Sequence, residues 1–260
     1  MHVYSMGSGK NTIVLLPGMG TGLPSADFAP LMRKLSEKNT VVCVEYFGVG
    51  FSSETSKPRT SENYVEETRT ALHRAGFKAP YVLMPHSISN VFSEYYAAKY
   101  PEEVKAVISL DGTSTAQYKE MPAFVKSILP ISKLQQATGF TSFIAPLTVN
   151  KKYLLSNGYT EKEIRDMILF AGFSVTNTLL EQVANSAEVI KQTMELPFPE
   201  YVPYFKVISK QTNETVNSQL KQFKMTPQEY QHRHLERIAE ITDELLRNKS
   251  GAILKQWISI

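Results

Sequence analysis

Short, largely apolar runs recur along the first half of the chain, each followed by a segment with helical spacing. Residues 12–16, 40–44, 81–84 and 104–110 form such runs, as strands buried on both faces require. An alternating stretch at 1–5 predicts a further short strand. Between the runs, Phe28, Leu31, Met32 and Leu35 recur at helical spacing and predict a helix over 27–38. A second helix is expected from Ser61 to about Arg74, where Gly76 can end it. A third follows at 91–100. Strands that alternate with helices imply right-handed crossovers and a mostly parallel sheet covered on both faces, an α/β fold.

The alternation stops after about Gln117. Up to Glu195 the spacing predicts only helices, over 122–129, 133–137, 150–155, 161–170 and 176–191. Thr160 with Glu163 forms a capping-box start. Pro197, Pro199 and Pro203 mark a return to strand pattern at 204–209, and Pro227 opens a helix expected to run to Asn248. The expected organisation is a core of residues 1–115 and 197–260, with an all-helical cap at 116–196. Phe140, Phe143, Tyr153, Phe170 and Phe173 of the cap are candidates for lining a pocket or for packing the cap on the core.

Composition narrows the function classes. At 260 residues the chain suits one domain with an insertion. The net charge of +3 is small and the basic residues are scattered, which argues against a nucleic-acid partner. Cys43 is the single cysteine and sits in an apolar run, as a buried strand thiol does. No apolar run approaches the roughly 18 residues of a membrane span, and no leader is visible, so a cytoplasmic protein is expected. No metal cluster or cofactor motif is present.

The chemistry centres on Pro85-His86-Ser87-Ile88-Ser89, between an apolar run and an amphipathic stretch. Strand, sharp turn with a central serine, helix is the layout of a nucleophile elbow. Pro85 and Ser89 stand where glycines are usual, so a plain strand-to-helix loop is the alternative. Pro17-Gly18-Met19-Gly20-Thr21-Gly22 is a glycine-rich loop at the end of another run. It lacks the Gly-Lys-Ser/Thr of a phosphate loop. Ser87, this loop and Asp111 all fall at carboxyl ends of strands, where such sheets bind ligands.

These residues resemble the α/β-hydrolase family. Leu16 to Gly20 resembles its oxyanion loop, Glu45 to Ser52 its Asp-x-Arg-Gly-x-Gly-x-Ser segment, and Pro85 to Ser89 its elbow. The helical insertion sits where the family carries a cap. The elbow also resembles that of a Gram-positive bacterial subgroup of cap-bearing members. The resemblance implies a serine hydrolase acting on a small ester, amide or related acyl substrate. Ser87 would be the nucleophile, with the N–H groups of Ile88 and Met19 as the oxyanion hole. Serine at the elbow argues against dehalogenase or epoxide-hydrolase chemistry, which needs a carboxylate there. The acid would be Asp111, or would come from the Asn213-Glu214 region.

The base would be His232 or His234. At about 100° per residue they point about 200° apart on the expected helix, so at most one faces the site. His2 and His73 come too early, and the side chain of His86 should point away from the Ser87 hydroxyl. A last strand and its glycine-histidine turn, about twenty to thirty residues in such folds, are not visible in the sequence. The rival expectation is therefore a non-catalytic small-molecule-binding protein, or a truncated hydrolase, on the same fold.

Overall fold

The computed structural model describes residues 1–113, 115 and 121–207. His232, His234, Asn213 and Glu214 lie outside these residues, as does the helix expected at 227–248. The described strands are β1 (His2–Met6), β2 (Thr12–Leu16), β3 (Thr40–Glu45), β4 (Tyr81–Pro85), β5 (Val104–Leu110) and β6 (Tyr204–Val207). They form one sheet in the order β1-β3-β2-β4-β5-β6. β1 runs antiparallel to β3 and every other pairing is parallel. β4 therefore sits between the strand that feeds the glycine loop and the strand that ends at Asp111.

The continuous apolar strands bury both faces. Val14, Val42, Val44 and Leu83 enter one core layer, while Ile13, Leu15, Val41, Cys43 and Met84 enter the other. This division follows from the two-residue repeat of a strand. The first layer is covered by α3 (Ser61–Arg74) and α4 (Ser89–Lys99), through Tyr64, Leu72, Val91, Phe92 and Tyr96. The second is covered by Phe28 and Met32. Cys43 is fully buried, and burial pushes its thiol well above the ordinary cysteine value.

The helix expected over 27–38 is two helices, α1 (Pro24–Asp27) and α2 (Ala29–Ser36), separated at Phe28. Pro30 lacks the N–H that a continuous helix would donate to Ala26, so a new helix starts beside it. Arg59 is fully buried below α3 and pairs in two hydrogen bonds, 3.0 and 2.8 Å, with Glu67.

Among the described residues, five helices lie between β5 and β6: α5 (Met121–Thr138), α6 (Phe140–Thr148), α7 (Lys151–Ser156), α8 (Glu161–Ala171) and α9 (Asn177–Met194). α5 runs on through Pro130, where the sequence predicts two segments. α6 was not expected, because 140–148 holds no charged residue to mark a polar face. The capping box at Thr160 and Glu163 forms in both directions. Arg33 of α2 binds the Glu163 carboxylate, with one contact at 3.2 Å, and so ties α8 to the sheet layer. α9 crosses into the main core. Val189 and Ile190 are buried there, Ser61 donates to the Val189 carbonyl at 3.0 Å, and Thr193 donates to that of Val91 at 3.2 Å.

Candidate active site

The turn after β4 is built by cross-strand hydrogen bonds. His86 N–H donates to the Leu16 carbonyl at 2.9 Å and Ser87 N–H to that of Leu110 at 3.2 Å. The chain must then reverse within two residues to begin α4. Ser87 takes up this reversal at φ +52°, a left-handed conformation that serine rarely adopts. Such strain costs about 1–3 kcal/mol and persists only where surrounding contacts fix it. Here the Ser87 carbonyl accepts from the N–H groups of Asn90 and Thr113, each at 3.0 Å.

The glycine loop presses on this turn. A Cβ at Gly18 would lie 2.8 Å from His86 Nδ1 and 3.1 Å from Ser87 Cβ, so only glycine permits the approach. Ser89, where glycine is usual, is fully buried, and its hydroxyl donates to the Pro17 carbonyl. Its oxygen also lies 3.0 Å from the Tyr46 hydroxyl. The elbow's helix start and the loop's first residue are thus directly joined. Among the described residues, the backbone N–H groups of Ile88 and Met19 donate no hydrogen bond.

Asp111 follows β5 directly, one residue beyond the carbonyl that accepts from Ser87. It lies at φ +43°, and its N–H donates to Val207 at 2.9 Å. The fold thus brings Ser87, Ile88, the Gly18-Met19 loop and Asp111 to one end of the sheet.

Two further groups were not singled out in the sequence. Asp27, at the end of α1, has its carboxyl raised by burial, partly offset by attraction to His86. Among the described residues, His86 Nδ1 is itself buried without a hydrogen-bond partner. The Tyr159 hydroxyl donates to the Asp27 carbonyl oxygen at 2.7 Å, which brings a residue of the α7–α8 connection to the same place. The second group is a buried polar network behind the elbow. Asn90 donates to Glu94 at 3.1 Å and to the Thr113 carbonyl at 3.0 Å, and accepts from the Tyr204 hydroxyl at 2.8 Å. It fastens α4 to β6 and to the turn after Asp111. No local pattern marks these residues, since apart from Asn90 and Glu94 within α4 their partners are distant in sequence.

The 45–52 segment is held by a buried carboxylate. Glu45 accepts from the Ser25 hydroxyl and from Phe51 N–H, each at 2.8 Å, and meets His2 Nδ1 at 3.0 Å. Gly50, at φ +56°, allows this: a Cβ there would stand 2.3 Å from Glu45 Oε2. Among the described residues no group of three or more His, Cys, Asp or Glu is placed to hold a metal ion.

A family model described as alpha/beta hydrolase fold matches residues 11–154, a span that includes the glycine loop, the elbow and Asp111. The chain belongs to the α/β-hydrolase family. This α/β-hydrolase is 34% identical over 210 residues to the uncharacterized protein YbdG of Bacillus subtilis, covering 78% of this chain and 63% of that protein. It is 29% identical over 123 residues to a 2-(acetamidomethylene)succinate hydrolase of Mesorhizobium japonicum, covering 47% of this chain and 43% of that one. The α/β-hydrolase described here therefore spans less than two thirds of the length of either relative. Among solved structures, the Cif epoxide hydrolase of Acinetobacter nosocomialis aligns with a TM-score of 0.61 at 15% identity, covering 80% of this chain and 69% of that chain. An alpha/beta hydrolase enzyme from a deep-sea metagenome library aligns with a TM-score of 0.57 at 17% identity, covering 99% and 85%. At such identities the likeness to the solved structures is one of fold.

Proposed function

We propose that the chain is a serine hydrolase that cleaves a small ester, amide or related acyl compound through an acyl-enzyme on Ser87. One observation carries the reading: Ser87 is held at φ +52° at the carboxyl end of a central strand, beneath a glycine loop that touches it. A strained non-glycine turn of this kind presents a side chain. The partial likeness to a protein named as a succinate-derivative hydrolase supports hydrolysis as the reaction class.

In this reading Ser87 Oγ adds to the substrate carbonyl carbon while its proton passes to an imidazole. The carbonyl oxygen takes the negative charge and accepts hydrogen bonds from Ile88 and Met19 N–H, donors with no other partner among the described residues. The imidazolium then protonates the leaving alcohol or amine, and the acyl group stays on Ser87. Water, deprotonated by the same imidazole, releases the acid and restores the serine. The base is assigned to His232 or His234. Asp111 is assigned as the acid that orients it, with the Asn213-Glu214 region as the other place for that group. The helices at 116–196 serve as the cap over the substrate.

The test is covalent labelling with a fluorophosphonate, read by mass spectrometry, alongside hydrolysis of p-nitrophenyl acetate. The expected result is one adduct on the Ser87 peptide, with adduct and hydrolysis both lost in Ser87→Ala. A folded protein that takes no label and turns over no ester would replace this reading with a binding protein on a hydrolase fold.

A further inference from the structure

Several large apolar side chains of the helical region are exposed. In α6, Ala145 is buried, and Gly172 at the end of α8 packs so closely on Ser142 that a Cβ would lie 2.3 Å from its hydroxyl. Ala145 therefore marks the inward face, with Ser142, itself exposed, against the end of α8 at its edge. At about 100° per residue, Phe140, Phe143 and Leu147 share one arc on the opposite side. They are 56%, 74% and 85% exposed. A helix that buries an alanine and shows two phenylalanines and a leucine to solvent reverses the ordinary amphipathic arrangement. Ile131 and Leu134 of α5, and Tyr153 and Leu155 of α7, are exposed as well. Phe140, Phe143 and Tyr153 therefore do not pack the cap on the core, one of the two roles expected of them.

The charges in this region are all of one sign. From Met121 to Thr160 the chain has no aspartate or glutamate and four lysines, Lys126, Lys133, Lys151 and Lys152. All four are exposed. Exposed aromatic and aliphatic side chains on helices whose charged side chains are all exposed lysines match in-plane binding at a bilayer, with rings at the acyl boundary and ammonium groups against anionic phosphates. A second copy of this chain fits less well, because a two-fold contact would set an acid-free cationic face against itself. No helix of the described residues is long and apolar enough to cross a membrane, so the mode is peripheral.

We propose that the outward face of α5 to α7 docks on bilayers that carry anionic phospholipids. The inference goes beyond the hydrolase reading and does not depend on Ser87. The test is co-sedimentation of the full chain with vesicles of phosphatidylcholine alone, or of equal parts phosphatidylcholine and phosphatidylglycerol. The chain and its Ser87→Ala variant should partition equally onto the mixed vesicles, and at least about tenfold less onto phosphatidylcholine or at high salt. Phe143→Ser with Leu147→Ser, and separately Lys151→Gln with Lys152→Gln, should each weaken partitioning about tenfold or more, with unchanged circular dichroism. Absence of partitioning, equal partitioning onto both vesicles, or unchanged partitioning of either double variant would overturn the proposal. So would a dimer lost in Phe143→Ser/Leu147→Ser without any vesicle binding.

Discussion

The Ser89 hydroxyl donates to the Pro17 carbonyl, joining the first residue of α4 to the first residue of the glycine loop. The elbow thereby departs from its usual pattern with a compensating bond that glycine cannot make. Removing the hydroxyl leaves a buried carbonyl unpaired, at a cost of about 1–3 kcal/mol. Ser89→Ala is expected to lower the urea midpoint and to slow fluorophosphonate labelling of Ser87 about tenfold. Labelling at the wild-type rate would show that the loop holds its place without this bond.

Gly50→Ala should be more damaging than its size suggests. The added carbon would meet Glu45 Oε2 at 2.3 Å, and φ of +56° disfavours alanine. Strain of this order costs about 1–3 kcal/mol, to which loss of the Glu45 contacts adds. Equilibrium urea unfolding measures the change, and a shift below about 0.5 kcal/mol would contradict it.

The Arg59–Glu67 pair predicts a non-additive double mutant. Arg59 is fully buried and its guanidinium also stacks 4.8 Å from the Tyr64 ring. Arg59→Met leaves Glu67 buried and unpaired, which should cost about 3–5 kcal/mol. Adding Glu67→Gln should recover part of that loss, so a double-mutant cycle in urea should give a coupling above about 1 kcal/mol.

Acid should loosen the attachment of α8 to α2. Burial pushes the Glu163 carboxyl upward, but hydrogen bonds from Arg33 and Thr160 outweigh it and leave it below the ordinary value of 4.5. A lowered folded pKa stabilises fully above that ordinary value, and the contribution fades as pH falls through the lowered one. Melting temperature against pH should therefore fall more steeply below about 4.5 for the wild type than for Glu163→Gln. Parallel curves would show that Glu163 carries no such coupling.

The core strands and the strand-to-helix turn at Ser87 were legible in the sequence because each is written locally. The β-branched apolar runs in the first half are the strands, and Pro85 to Ser89 lies between one such run and a helical stretch. The break at Phe28 was missed because helical spacing of apolar residues outweighed Pro30. α6 was missed although Phe140, Phe143, Ile144 and Leu147 recur at helical spacing, because no charged residue marks its other face. The Asn90-Glu94-Tyr204 network and the Asp27-His86 proximity were not legible, since each joins residues that only the sheet order makes neighbours.

By itself the sequence determined the α/β alternation, the helical insertion and a serine at the end of a buried strand, all of which rest on short-range periodicity and turn chemistry. Only the tertiary structure decided that β4 lies between β2 and β5, which sets Gly18 and Asp111 on either side of Ser87. It alone decided that Phe140, Phe143 and Leu147 face outward. Strand order and helix orientation depend on which surfaces meet across the whole fold, and no window of adjacent residues contains that information.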